Sequence, residues 1–192
     1  ANSLWESVIF AVRGILLSDS DSIKYAISGI QDVVVITDSG DGFYKDGSFI
    51  QHDNIPYNCG YGRSLIQELA PMLYTFKDTE FEIKNTDIIN TWVEKSYLPF
   101  IYNGRTMDMV RGREISRYYE QSDFACSRIL SAMLILTELS EFDILRSVIK
   151  THLTDSFFEY ASLFAVELAE GLQEDDNIEP KEIKPYFMAF NS

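Results

Sequence analysis

His52 and Tyr61 stand nine residues apart in a segment dense with glycine and aromatic side chains, DSGDGFYKDGSFIQHDNIPYNCGYG over residues 38–62. An imidazole and a phenol that reach the same substrate can move protons around it. A loop histidine taken alone is more often a surface group, but the neighbouring Tyr44, Tyr57 and Tyr61 favour the chemical reading. A second segment, YNGRTMDMVRGREISR over 102–117, carries Arg105, Arg111, Arg113 and Arg117 against only Asp108 and Glu114. Guanidinium forks grip carboxylates bidentately, which suits an acidic sugar or another anion. The same arginines could instead pair with the protein's own surplus of carboxylates, and residue types alone leave both readings open. Arg113 and Arg117 are four apart, so a helix beginning here would project both from one face.

The other reactive side chains read as structural. His152 lies on the apolar side of a segment with helical spacing, the position of a packed core histidine. Cys59 and Cys126 are too few for a disulfide scaffold. Cys59 has no obvious partner base and reads as a small side chain rather than a nucleophile. No cluster of residues has convincing metal-ligand spacing.

These residues must be held by a scaffold, and the spacing of apolar residues is mostly helical. The 192 residues are 46% hydrophobic and 14% aromatic, enough for a core and too apolar for a disordered chain. A net charge of −14 argues against a duplex-DNA binder, which needs an electropositive footprint. The longest apolar runs, such as Val33 to Ile36, are too short to span a bilayer. Val8, Ile9, Val12, Ile15 and Leu16 predict one buried helix face. Ser18 to Ser22 reads as a turn and N-cap before a second helix ending near Val34. Further helices are expected over Leu65 to Phe76, Asp87 to about Ile101, and Phe124 to Leu139. Phe142, Leu145, Ile149, His152 and Leu153 mark another, and Phe157 to Leu172 a last long one. The acidic stretch from Glu167 towards Pro180 and Pro185 predicts a domain edge near 167–185. Alternating helices and loops suit an array of antiparallel helical hairpins, an all-α fold.

The string Gly42 to His52, followed by Pro56-Tyr57 and Gly60-Tyr61-Gly62, resembles the polysaccharide lyase family of hyaluronate, chondroitin AC and xanthan lyases. Asn103-Gly104 with Met107 to Arg117 is similar to that family's arginine motif, and Ala1-Asn2 to the end of its Gly-Ala-Asn motif. The resemblance runs to the closing Ala189-Phe190-Asn191. It implies a catalytic set of Asn2, which binds the substrate carboxylate, His52, Tyr61 and Arg117, with Arg113 and Arg117 contacting the substrate. Tyr57 and Asn58 are implied as further substrate contacts. The spacing of Arg117 and Tyr119 resembles that of the xanthan-acting members, so Tyr119 is expected on an acidic side-chain sugar. Hyaluronan and chondroitin stay open as substrates.

The implied fold is part of an incomplete α/α toroid over residues 1–192, completed by other helices and by β-sandwich domains. The family pattern includes earlier toroid helices and a glutamate beyond Ser192, so a piece of a longer, secreted bacterial lyase is expected. The implied reaction is β-elimination at a uronic acid, leaving a 4,5-unsaturated sugar and needing no metal or organic cofactor. Asn2 would spread the charge that develops on the carboxylate while Tyr61, with His52, moves the proton. The expected partner is an acidic polysaccharide, with no nucleic acid and no membrane. Two other readings compete: a non-catalytic carbohydrate-binding helical domain, and a helical array that binds a protein through its acidic face.

Overall fold

The computed structural model describes residues 1–139 and 143–183. Phe142, Pro185 and the closing Ala189-Phe190-Asn191 lie outside the described residues. The described chain is mostly helical, with a few short strands.

Helices α1 (Asn2–Leu17) and α2 (Ser20–Val33) form an antiparallel hairpin. The turn is built as its residue types demand. Ser18 takes the left-handed conformation that ends α1, and the Asp19 carboxylate accepts from the Asp21 and Ser22 amides that open α2, each at 3.2 Å. The seam between the two helices is lined by small residues. A Cβ on Gly14 would lie 2.6 Å from Ile23, and one on Gly29 would lie 2.3 Å from the Ser7 hydroxyl. That close approach overturns the expected burial of α1. The helix buries Leu4, Ser7, Ala11 and Gly14, while Ile9, Val12, Ile15 and Leu16 stay exposed, Ile9 at 68% and Leu16 at 77%. Branched side chains do not fit where two backbones nearly touch, so the wider apolar stripe faces outward and only Val8 stays half-buried against the core.

The glycine-rich segment is a small meander. Strands β1 (Gly42–Phe43), β2 (Phe49–Gln51) and β3 (Ile55–Pro56) pair antiparallel, with Phe43 opposite Phe49 and Gln51 opposite Ile55. Phe43 anchors it by stacking on Trp92 at 4.1 Å. One wide turn, Asn58–Gly62, then runs without a break into α3 (Arg63–Phe76).

The expected helix from Asp87 to Ile101 is broken. Helix α4 covers only Ile88–Trp92, followed by a wide turn at Val93–Tyr97 and a tight one at Leu98–Phe100. Pro99 has no N–H to continue a ladder, and the chain turns into a hairpin, β4 (Ile101–Tyr102) and β5 (Arg105–Thr106). Asn103 and Gly104 join the strands at φ 48° and 69°, the two positive values a tight primed turn requires.

Helix α5 (Ser122–Thr137) is buried nearly all round and runs through the middle of the core. Helices α6 (Asp143–Thr151), α7 (Asp155–Tyr160) and α8 (Leu163–Glu174) pack around it. The last long helix is therefore two helices. Ala161 and Ser162 take extended conformations, and the Ser162 hydroxyl caps α8 by accepting from the Ala165 amide at 3.3 Å.

His152 is buried just past α6, and its Nδ1 accepts from the Gly104 amide at 3.4 Å. Burial holds this imidazole below its ordinary pKa, and the Glu182 carboxylate offsets part of that effect. The neutral ring is the form the fold prefers. Its stabilisation is present above the unfolded value of about 6.5 and is lost as pH falls towards the lower folded value. Melting temperatures measured from about pH 7.5 down to about pH 5 should therefore fall, and fall less steeply in His152→Gln, which removes the titrating group.

Candidate active site

The wide turn and the meander bring three rings together. His52 follows β2, and its ring meets Tyr61 edge-to-face with centroids 5.3 Å apart. Tyr57 stands behind both, 6.3 Å from His52 and 5.0 Å from Tyr61. Trp5 of α1 lies 6.3 Å from Tyr61 on another side. Asn2 is one helical turn before Trp5, so the two project from the same side of α1. Asn2 is exposed and lines a cavity of about 360 Å³ together with Asp41 and Gln51, the residue before His52.

The arginine segment closes on this cluster, though in a different form from the one expected. Residues 108–116 make two tight turns, Asp108–Val110 and Gly112–Ser116, so Arg113 and Arg117 do not share a helical face. Gly112 takes φ 54°, and a Cβ there would lie 2.3 Å from the Tyr57 ring. The bend turns the Arg113 amide onto the Tyr57 hydroxyl at 2.8 Å, and the Arg113 guanidinium donates to the Tyr61 hydroxyl at 2.9 Å. A cation donating to a phenol oxygen suits an oxygen that gains negative charge during proton transfer.

Arg117 is placed differently. Its guanidinium pairs with Glu120 and lies 3.9 Å from Glu114, while Arg63 reaches Glu114 at 3.5 Å and Glu120 at 4.0 Å. Two guanidiniums and two carboxylates thus alternate along one wall of a second cavity, of about 340 Å³, which Trp5 and Tyr61 also line. Burial pushes the Glu114 carboxyl up and the Arg63 charge pulls it back. Arg111 is structural: it is 2% exposed, bonds Asp108 at 2.6 Å and donates to the Glu120 carbonyl. The two open readings of the arginines therefore divide by residue. Arg111 and Arg117 pair with the protein's own carboxylates, and Arg113 faces the tyrosine.

Of the three further residues expected to contact substrate, two are buried and one is exposed. Tyr57 has no exposed surface, because its ring fills the space over Gly60 and Gly112 and its hydroxyl is held by Arg113. Asn58 is 1% exposed; it accepts from the Phe49 amide at 3.2 Å and donates to the carbonyls of Gly47 and Ser96 at 2.8 and 3.0 Å. Both residues brace the loop from inside. Tyr119 is 84% exposed, and its ring meets Tyr118 edge-on at 5.2 Å. Trp5, Arg63 and Glu114 line the cavity with Tyr61 and Arg117 and were not expected there from sequence. The sequence signal for Trp5 was its place three residues after Asn2, and for Arg63 its place two after Tyr61.

Cys59 and Cys126 are buried free thiols, and burial pushes both thiols well above their ordinary pKa. Neither has the ionised form a nucleophile needs. Among the described residues no three His, Cys, Asp or Glu side chains group closely enough to hold a metal ion, and no helix is long and apolar enough to cross a membrane.

The helical domain is matched by known proteins. The model of polysaccharide lyase family 8, N terminal alpha-helical domain, matches residues 1–151, and the chain belongs to that family. It is 30% identical to a xanthan lyase of Bacillus sp. strain GL1 over 191 residues, covering 94% of this chain and 20% of that protein. It is 33% identical to a hyaluronate lyase of Thermasporomyces composti, covering 94% of this chain and 25% of the relative. The chain thus spans a quarter or less of these curated relatives. Its backbone is similar to a solved Paenibacillus xanthan lyase, with a TM-score of 0.89 at 32% identity over 95% of this chain and 18% of that one. A Streptomyces coelicolor A3 chondroitin AC lyase in complex with chondroitin sulphate is similar at a TM-score of 0.75 and 26% identity, over 92% of this chain and 26% of that one.

The Gly112 bend yields a test of the geometry. Gly112→Ala adds a methyl where the Tyr57 ring already sits and forces a strained φ. Overpacking of this kind costs about 1–3 kcal/mol, so urea unfolding should show a loss of that size.

Proposed function

We propose that this chain carries the catalytic face of a lyase that cleaves a uronic-acid-containing polysaccharide by β-elimination. The observation that carries the reading is the contact of Arg113 with the Tyr61 hydroxyl beside the His52 ring. The hard step is removal of the proton at C5 of the uronate, next to a carboxylate that already bears negative charge. The Asn2 amide donates to that carboxylate and spreads the charge as it grows. Tyr61 takes the proton and returns one to the leaving glycosidic oxygen, with the Arg113 guanidinium opposing the charge on the phenol oxygen. His52, edge-on to Tyr61, holds the substrate carboxylate or shares in the proton transfer. Arg117, already paired with Glu114 and Glu120, shapes the wall of the cleft. The reaction needs no metal or organic cofactor.

The helical hairpins belong, in this proposal, to part of an incomplete α/α toroid occupying residues 1–192, with its acidic edge near 167–185. The apolar stripe of Ile9, Val12, Ile15 and Leu16 left open on α1 supports this, because a neighbouring hairpin would cover it. Further helices and β-sandwich domains are the partners such a toroid implies, and the enzyme is secreted by a bacterium to reach a polymer outside the cell. Xanthan, hyaluronan and chondroitin are the candidate substrates. The exposed Tyr119 supports xanthan only in offering an uncovered ring to a side-chain sugar.

Incubation of a full-length version, in which this chain is joined to those further helices and β-sandwich domains, with each polymer should raise the ultraviolet absorbance of an unsaturated uronate on at least one of them. Binding without any such product on all three would leave a carbohydrate-binding domain in place of a lyase. Tyr61→Phe should abolish turnover while polymer binding survives, since only the hydroxyl is lost. Asn2→Ala should lower kcat about 10²–10³-fold, the usual cost of one donor to a developing anion. Turnover near that of the parent protein in Tyr61→Phe would remove the phenol from the mechanism.

A further inference from the structure

His52 sits in the left-handed region at φ 54°, and Asp53 follows it at 69°. A residue with a Cβ pays free energy for that conformation and keeps it only where its surroundings over-determine it. The hairpin pairing of Gln51 with Ile55 and the Asn54 amide on the His52 carbonyl at 2.9 Å do part of this, and the exposed Asp41 carboxylate adds to them. Asp41, the residue before β1, accepts the Gln51 side-chain amide on one oxygen and the Asp53 backbone amide on the other, the second at 3.3 Å. Its two donors are the residues immediately before and after His52. Gln51 is 7% exposed, so its side chain cannot swing out to water. Turning its amide over would set oxygen against carboxylate, so Asp41 also fixes which way that group faces. The other end of the Gln51 amide has no partner among the described residues, and the pair lines the cavity shared with Asn2.

We propose that Asp41 is a positioning residue: its carboxylate clamps the chain on both sides of His52 and holds the imidazole edge-on to Tyr61. The role in turnover rests on the lyase reading of His52, whereas the clamp itself can be read without any reaction.

The chain has two histidines, so each gives its own imidazole signals in a carbon–proton NMR spectrum. Ring currents from Tyr57 and Tyr61 shift those of His52, while the buried His152 serves as an internal control of folding. In Asp41→Asn, the His52 signals should move towards random-coil positions and those of His152 should stay. Gln51→Met, which removes one arm of the clamp, should move the His52 signals in the same direction and decides the matter if Asp41→Asn fails to fold. Unmoved His52 signals in a folded variant overturn the clamp. In turnover, Asp41→Asn should lower kcat about 10²-fold with KM nearly constant, the scale set by a displaced catalytic group. It should cost nothing further in a His52→Ala background, and losses that simply add would show that Asp41 does not act through His52. A parent protein that makes no unsaturated product sinks the lyase reading and leaves the NMR result to judge the clamp.

Discussion

One buried phenol, Tyr57, joins the two segments on which the site is built. Its ring fills the gap between Gly60 and Gly112, and its hydroxyl accepts the Arg113 amide. Burying an aromatic side chain removes about 150–250 Å² from water, worth about 4–6 kcal/mol at 25 cal/mol per Å². A single hydrogen bond contributes about 1 kcal/mol net. Ring packing therefore holds the wide turn against the arginine segment, and the hydrogen bond sets the register. With that register, the next side chain along, Arg113, falls on the Tyr61 hydroxyl. Tyr57 is fully buried, and the geometry of the exposed residues around it depends on it.

The charges around the site sort by their surroundings. Arg63, Glu114, Arg117 and Glu120 form an alternating set in which each guanidinium meets a carboxylate. Glu114 is 5% exposed and would cost several kcal/mol to bury ionised without such partners. Arg113, by contrast, is exposed and spends its guanidinium on a neutral phenol. Among the described residues no carboxylate pairs with it, in a protein of net charge −14. Screening confines exposed charges to about 8 Å at physiological ionic strength, so an acidic polymer close to Arg113 responds to the local cation more than to the distant acidic surface.

Much of the scaffold was legible in the chain. Helices α1, α2, α3 and α5 follow the 3.6-residue spacing of their apolar residues, and Asp19 caps α2 as its type and place suggest. The misreadings have physical causes. The expected helix gave way at Val93 to a wide turn that periodicity does not show, Pro99 then removed a donor from the tight turn after it, and Ser162 opened α8 where an unbroken apolar stripe hid the cap. On α1 the larger apolar side chains were assigned to the core, but close backbone approach selected the smaller ones. That His52 and Tyr61 lie together was legible, because their motif is distinctive. The division of labour between Arg113 and Arg117 was not, because it turns on a bend at Gly112 and on carboxylates brought in from Glu114 and Glu120.

Local sequence by itself determined the helices, the turn residues at Asp19 and Asn103-Gly104, and the residue types able to move a proton or hold an anion. Those follow from spacing, capping and backbone preference, which act over a few residues. Only the tertiary structure decided which side of α1 is covered, that Tyr57 and Asn58 are buried inside the loop, and that Asp41 bonds the residues on both sides of His52. Those outcomes depend on which groups are excluded from water together, and groups such as Tyr57 and Arg113 are 56 residues apart until the core brings them into contact.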